Sequence, residues 1–185
     1  LPMPRNINLS KREADMSVTL ERPTDERVVS AKLLDYRMRP YAAKEYLGRS
    51  PTIRTAADLA EHRWIGYVDD LIFTDQQPSL RNWIPSSDPF FRSTSMTAQY
   101  QAVRAGLGIA VLPCFLGNTT EGLVPLLAEE IDIVRTFWLA APMERRELFR
   151  VRALWDYLRR VAELNQSFLM GEASHMIWHA QSLPT

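Results

Sequence analysis

One cysteine, Cys114, is all that 185 residues supply, and that scarcity excludes an intrachain disulfide and a cysteine-rich zinc site. Net charge is missing as well. The 22 basic residues cancel the 22 acidic ones, so composition makes no electrostatic case for nucleic acid or an anionic membrane surface. No apolar run approaches the length of a membrane span, and no basic-then-apolar leader with a small-residue cleavage site opens the chain. A soluble cytoplasmic protein is therefore expected.

The short motifs that mark cofactor and catalytic sites are equally scarce. Gly106-x-Gly108 lacks a third glycine, since Val111 takes its place, and it follows a predicted helix where a dinucleotide loop would precede one. There is no phosphate-binding loop of the Lys-Ser/Thr type and no G-x-S-x-G nucleophile elbow. His175 and His179 stand four apart, but no third metal ligand is evident near them. His62 is expected to end a helix, where a cation suits the dipole, and Cys114 to act as a small buried hydrophobe. No cofactor, no metal ion and no enzymatic activity are expected.

What is present is a globular composition, 46% apolar, enough to build a core in one large domain or two small lobes. Its centre is Phe90 to Phe115, FFRSTSMTAQYQAVRAGLGIAVLPCF, which reads as strand, helix, strand. Ser93, Thr94 and Ser95 can accept hydrogen bonds from the first free amides of the helix, so the N-cap is placed there. Met96, Tyr100, Val103 and Leu107 form one apolar stripe at helical spacing, with Gln99, Gln101 and Arg104 turned to water. Gly106 or Gly108 ends the helix. If the two flanking strands are parallel neighbours, the Ser/Thr cluster lies at the carboxyl edge of a sheet, where open α/β sheets bind small ligands. The cluster is either a plain N-cap or an anion-binding helix start.

Around this centre, Ala14 to Leu20 alternates Met16, Val18 and Leu20 against polar neighbours, the pattern of a half-buried strand. Val28 to Ala43 is a second β-prone run in which Pro40 argues against a central sheet position. Thr55 to His62 is a helix candidate capped by Thr55, and Trp64 to Val68 a compact strand with Asp69 and Asp70 just past its end. Those two carboxylates either bind a cation or ligand ammonium or are solvated loop residues. Arg135 to Ala141 is a strand, and Glu144 to Leu164 a helix with Leu148, Val151, Leu154, Trp155, Leu158, Val161 and Ala162 on one stripe. The stretch from Asn165 onward is too apolar to be solvated throughout.

Three of these stretches, in order, resemble motifs of LysR-type transcriptional regulators. Arg12-Glu-Ala-Asp-Met-Ser-Val18 is similar to their "READ-φ-x-φ" strand, Asp58-Leu-Ala-Glu-His-Arg-Trp-Ile-Gly-Tyr67 to their "DL-x-x-H-x-W-I-G-Y" helix-strand, and Val103-Arg-Ala-Gly-Leu-Gly-Ile-Ala-Val-Leu-Pro113 to their "V-x-A-G-x-G-I-x-x-L-P" motif. The resemblance implies an effector-binding domain of the α/β, type 2 periplasmic-binding-protein-like fold: two Rossmann-like lobes joined by two crossover segments, with a small-molecule site between them. Lobe I would comprise residues 1–41 and 135–164, lobe II residues 42–134, and residues 165–185 an extension. Carried over, the effector contacts implied are Tyr67, Asp69, Thr94, Ser95 and Met96 from lobe II, and Thr19 and Phe137 from lobe I. The family's winged helix-turn-helix, linker helix and first strand-helix of lobe I do not precede Leu1. DNA contacts, and a dimer or tetramer, are accordingly expected of a full-length protein. A transport solute-binding protein with the same fold is the alternative.

Overall fold

The computed structural model describes residues 14–67 and 89–177. In chain order the strands are β1 (Ser17–Thr19), β2 (Val28–Ala43), β3 (Ile65–Gly66), β4 (Phe91–Arg92), β5 (Ala110–Pro113), β6 (Leu123–Pro125) and β7 (Ile133–Pro142). The helices are α1 (Lys44–Leu47), α2 (Met96–Arg104), α3 (Cys114–Gly117), α4 (Met143–Arg146), α5 (Phe149–Leu164) and α6 (Gln166–Leu169). The chain divides into two compact units, one containing everything up to Tyr36 and from Arg135 onward, the other Arg37–Val134. Only β2 and β7 run from one unit into the other among the described elements.

In the first unit β1 pairs antiparallel with β7, and β7 neighbours β2. Leu139, Ala141, Val151 and Trp155 form its buried centre, with Met16, Ala31, Leu33 and Leu158 packed around them. Met16 thus faces the core as its alternation predicts, but Val18 is 49% exposed, on a strand that lies at the end of the strand order. The helix predicted from Glu144 to Leu164 is interrupted. α4 stops at Arg146, and Leu148 takes an extended conformation (φ −63°, ψ 132°) before α5 begins. Tertiary ties override helix continuity: the Met143 amide donates to the Arg27 carbonyl, and Arg145 and Arg150, one on each side of the break, both reach Asp15. Leu148 therefore leaves the apolar stripe, and Leu154 is 48% exposed, while Val151, Trp155 and Ala162 are buried.

In the second unit β2 is flanked on both sides. Tyr41 is level with Ala110 of β5 and with Pro125 of β6. The expectation that Pro40 keeps β2 from a central position fails for a local reason. The Leu126 amide donates to the Pro40 carbonyl, so the polar edge of Pro40 points away from β5 and towards the segment leaving β6. Its nitrogen has no ladder bond to lose on the β5 side. The same parity holds for Pro113, which stands opposite Met38 on that ladder, two positions from the Pro40–Val111 pair.

Phe90 to Phe115 does fold as strand, helix, strand, but its two strands are not parallel neighbours. β3 lies between them: it pairs parallel with β4 through Ile65–Phe91 and Gly66–Arg92, and Trp64 forms a parallel bridge with Ile109 just before β5. The signal for this insertion sits 25 or more residues upstream in a two-residue strand, too short to announce its neighbours. α2 ends as its glycine predicts. Gly106 adopts φ 68°, its amide bonds the Val103 carbonyl, and the Leu107 amide bonds that of Ala102, so the last turn is closed by a Schellman arrangement. Gly108 has a different role, since a Cβ there would lie 2.4 Å from the Arg63 carbonyl oxygen. Tyr41, Ile65, Ala102, Val103, Ala110, Leu112 and Cys114 form the buried centre of this unit, with Cys114 fully enclosed.

Candidate functional site

The edge of the β3–β4 pair positions most of the residues implied for the site. Tyr67 follows the last residue of β3, and Ser93, Thr94 and Ser95 follow β4, so both strands deliver their carboxyl ends to one place. The Ser93 amide donates to the Gly66 carbonyl at 3.0 Å and extends the pairing by one step. Ser95 is the N-cap, extended at φ −99°, ψ 117°, and its hydroxyl accepts from the Ala98 amide at 3.4 Å. The Ser95 amide in turn donates to Ser93 Oγ at 3.1 Å. The amides of Met96 and Thr97 have no intrahelical acceptor, as in the first turn of any α-helix, and the positive end of the dipole lies with them.

Gln99 is the correction here. Expected to face water, it is 1% exposed, and its Nε2 donates to the Ser93 carbonyl at 2.8 Å. One helical turn into α2, it holds the loop that leads into the cap. A helical wheel counts Gln as polar and turns it outward; its spacing of six from Ser93, at a cap, is the signal that could have found it. Met96 packs against the buried cluster of the second unit, so its side chain serves the core and its amide is the group turned to the helix start. Thr94 and Tyr67 are half-buried and Ser95 is exposed. Asp69 and Asp70 lie outside the described residues, as does His179.

Thr19 and Phe137 belong to the first unit. Thr19 stands level with Trp138 across the β1–β7 pair, and its hydroxyl donates to the Glu21 carbonyl at 2.7 Å. Side chains alternate along a strand, so Phe137 turns to the other face of β7, where its ring stacks on Tyr36 with centroids 4.6 Å apart. Trp138, not Phe137, is therefore the aromatic residue beside Thr19. Its indole nitrogen and the Ser17 hydroxyl are both buried without a hydrogen-bond partner among the described residues, and the Arg22 guanidinium lies 5.4 Å from the Trp138 ring.

His62 does not cap a helix as a cation. Residues 58–61 form a 3-10 turn whose N-cap is Ala57, not Thr55, with no side-chain cap bond; the Asp58 carboxylate instead accepts from the preceding amides of Arg54 and Thr55 at 2.8 Å each. His62 is buried. The Arg63 amide donates to the Tyr46 hydroxyl oxygen at 3.0 Å, and that hydroxyl also shares a hydrogen bond with His62 Nδ1 at 3.1 Å. The other ring nitrogen, Nε2, is buried with no hydrogen-bond partner among the described residues. Burial holds the His62 pKa below the ordinary 6.5, against the opposing pull of Glu61 and Asp58. As pH falls, the unfolded chain takes this proton before the folded one does. The stability tied to a neutral His62 is thus complete above about pH 6.5 and is lost as pH drops through the folded value. Thermal melts between about pH 5 and 8 are expected to show a steeper acid-side decline in the wild type than in His62→Gln. Parallel curves for the two proteins would refute the assignment.

A cavity of about 410 Å³ opens at the other end of α2, lined by Tyr46, Arg49, Glu61, Arg63, Gly106 and Leu107 among others. Arg49 Nη2 donates to the Gly106 carbonyl there at 2.7 Å. None of the residues implied for the site lines it. Among the described residues no group of three His, Cys, Asp or Glu is placed to hold a metal ion, and no helix is long and apolar enough to cross a membrane.

Residues 6–163 match the LysR substrate binding domain family. The HTH-type transcriptional regulator CrgA of Neisseria meningitidis serogroup C is 29% identical over 164 residues, covering 82% of this chain and 52% of that protein. The chain thus spans about half the length of the curated relatives it matches. The solved CrgA regulatory domain superimposes with a TM-score of 0.71 at 26% identity, over 83% of this chain and 78% of that structure. The effector domain of AmpR from Pseudomonas aeruginosa shares the fold at 16% identity, with a TM-score of 0.68 over 87% of this chain and 78% of that one. These likenesses place the chain among regulatory domains of the type 2 periplasmic-binding-protein-like class.

Proposed function

The chain belongs to the LysR substrate-binding domain family, and from that premise we propose that it is the effector-sensing part of a transcriptional regulator, binding a small molecule without transforming it. The observation that supports this most directly is the start of α2. Its free amides, the Ser95 hydroxyl and the neighbouring Tyr67 converge where two parallel strands end, an arrangement suited to an anionic or otherwise hydrogen-bond-accepting group. We take the first unit as lobe I and the second as lobe II. Tyr67, Asp69, Thr94, Ser95 and Met96 are the proposed effector contacts on lobe II, and Thr19 and Phe137 those on lobe I. Full-length dimers or tetramers, cytoplasmic location and DNA binding through a separate domain complete the reading. An effector regulates in such a scheme only by binding one conformational state more tightly than another.

Native mass spectrometry of the purified chain is expected to reveal a co-purified small molecule, and calorimetry with that molecule then tests the site. Ser95→Ala should weaken binding by about 1 kcal/mol or more, the loss of one hydrogen bond to the small molecule. Unchanged affinity would remove Ser95 from the contacts, and turnover of the molecule would displace the non-catalytic reading.

A further inference from the structure

We propose that residues 165–177 form an intramolecular strap that stiffens β2 at Asp35, one residue before β2 passes out of the first unit. The segment follows the family-matched stretch, which ends at residue 163. Asn165 anchors it. This residue is 2% exposed, and its amide group serves the returning chain as a strand neighbour would: the Ile177 amide donates to Asn165 Oδ1 at 2.6 Å, and Asn165 Nδ2 donates to the Ile177 carbonyl at 3.2 Å and to that of Val161 at 2.9 Å. A buried amide matched on both its atoms selects one docked path for the segment. The turn that brings Ile177 back is built in as well. Gly171 adopts φ 74°, and the Ser167 carbonyl accepts from the amides of both Glu172 and Ala173.

The residue after the anchor makes the connection. Gln166 Nε2 donates to the Asp35 carbonyl at 3.2 Å. The Asp35 carboxylate already joins the two strands that leave this unit, accepting from Thr136 Oγ1 of β7 at 2.6 Å and pairing with Lys32 of β2 at 2.5 Å. Burial alone would raise the Asp35 pKa, but these two partners outweigh it and hold the carboxyl ionised below the usual carboxylate range. Strap, first strand and return strand therefore meet at one residue. Anchoring by Asn165 fixes where α6 starts, and with it the reach of Gln166 to Asp35. The strap restrains β2 whether or not a small molecule is bound.

Hydrogen–deuterium exchange on the whole chain tests this by comparing the wild type with Gln166→Ala and Asn165→Ala. Gln166 is exposed, so its truncation leaves no cavity. Both variants should speed exchange of the amides at residues 33–36 several-fold, up to about tenfold, the range one lost hydrogen bond allows. Asn165→Ala should also release the Ile177 amide. Should Gln166→Ala leave residues 33–36 unchanged, the strap is a docked tail with no effect on β2 and the proposal fails. Were Asn165→Ala unfolded outright, the Gln166→Ala result alone decides.

Discussion

Trp155→Ala is expected to destabilise the protein by about 3–5 kcal/mol, the range found when a large aromatic side chain is cut from a packed core. Trp155 is 2% exposed and is the one aromatic ring in the buried centre of the first unit, where the remaining side chains are Leu139, Ala141 and Val151. None of these is long enough to fill the space an indole leaves. The ring also carries Arg146, whose guanidinium lies 4.5 Å from its centroid. Truncation would thus remove both the filling of the core and the support of the residue that ends α4. Urea melts give the measurement. A loss below about 1 kcal/mol would mean that α5 collapses onto the sheet and that the ring is not its anchor.

Gly108→Ala is the second large effect, at about 1–3 kcal/mol with the upper end expected. The added methyl would sit 2.4 Å from the Arg63 carbonyl oxygen and 3.1 Å from its carbon. These are backbone atoms, so no rotamer change relieves the contact. That carbonyl also accepts the Ile109 amide at 2.9 Å, and the Ile65 amide bonds the Ile109 carbonyl at 2.8 Å, so the methyl would pry apart the strands that set the carboxyl edge beside α2. Melting temperature and effector affinity should fall together in this variant, whereas Ser95→Ala should lower affinity and, through the lost helix cap, cost only about 1 kcal/mol of stability. A Gly108→Ala protein with wild-type stability would show that residues 63 and 109 separate freely and that the observed pairing is weakly held.

The residues that could be read in advance are those governed by local rules. Ser95 at the cap and Gly106 at the helix end follow from hydrogen-bonding needs of a helix within four residues on either side. Val151, Trp155 and Ala162 follow from helical periodicity. Most of the misreadings come from contacts distant in sequence. Pro40 stands in a central strand because Leu126, 86 positions away in the chain, turns its polar edge from β5. Gln99 is buried because a carbonyl at the end of β4 needs a donor. The helix before α5 breaks because Asp15, at the start of the described chain, draws an arginine from each side of the break. In the candidate site the cap was legible, whereas which residue of β7 stands beside Thr19 was not, since only the register of β1 against β7 decides it.

The facing prolines of β2 and β5 constrain how the chain reaches this pairing. With Pro40 opposite Val111 and Pro113 opposite Met38, every position on the ladder that would require a proline donor is avoided. A slip of one residue would turn a nitrogen without hydrogen towards the opposing strand and move Tyr41 from the core to the other face. Pairings misaligned by an odd number of residues are thereby penalised twice, so these prolines reject every second alignment of the strands during folding.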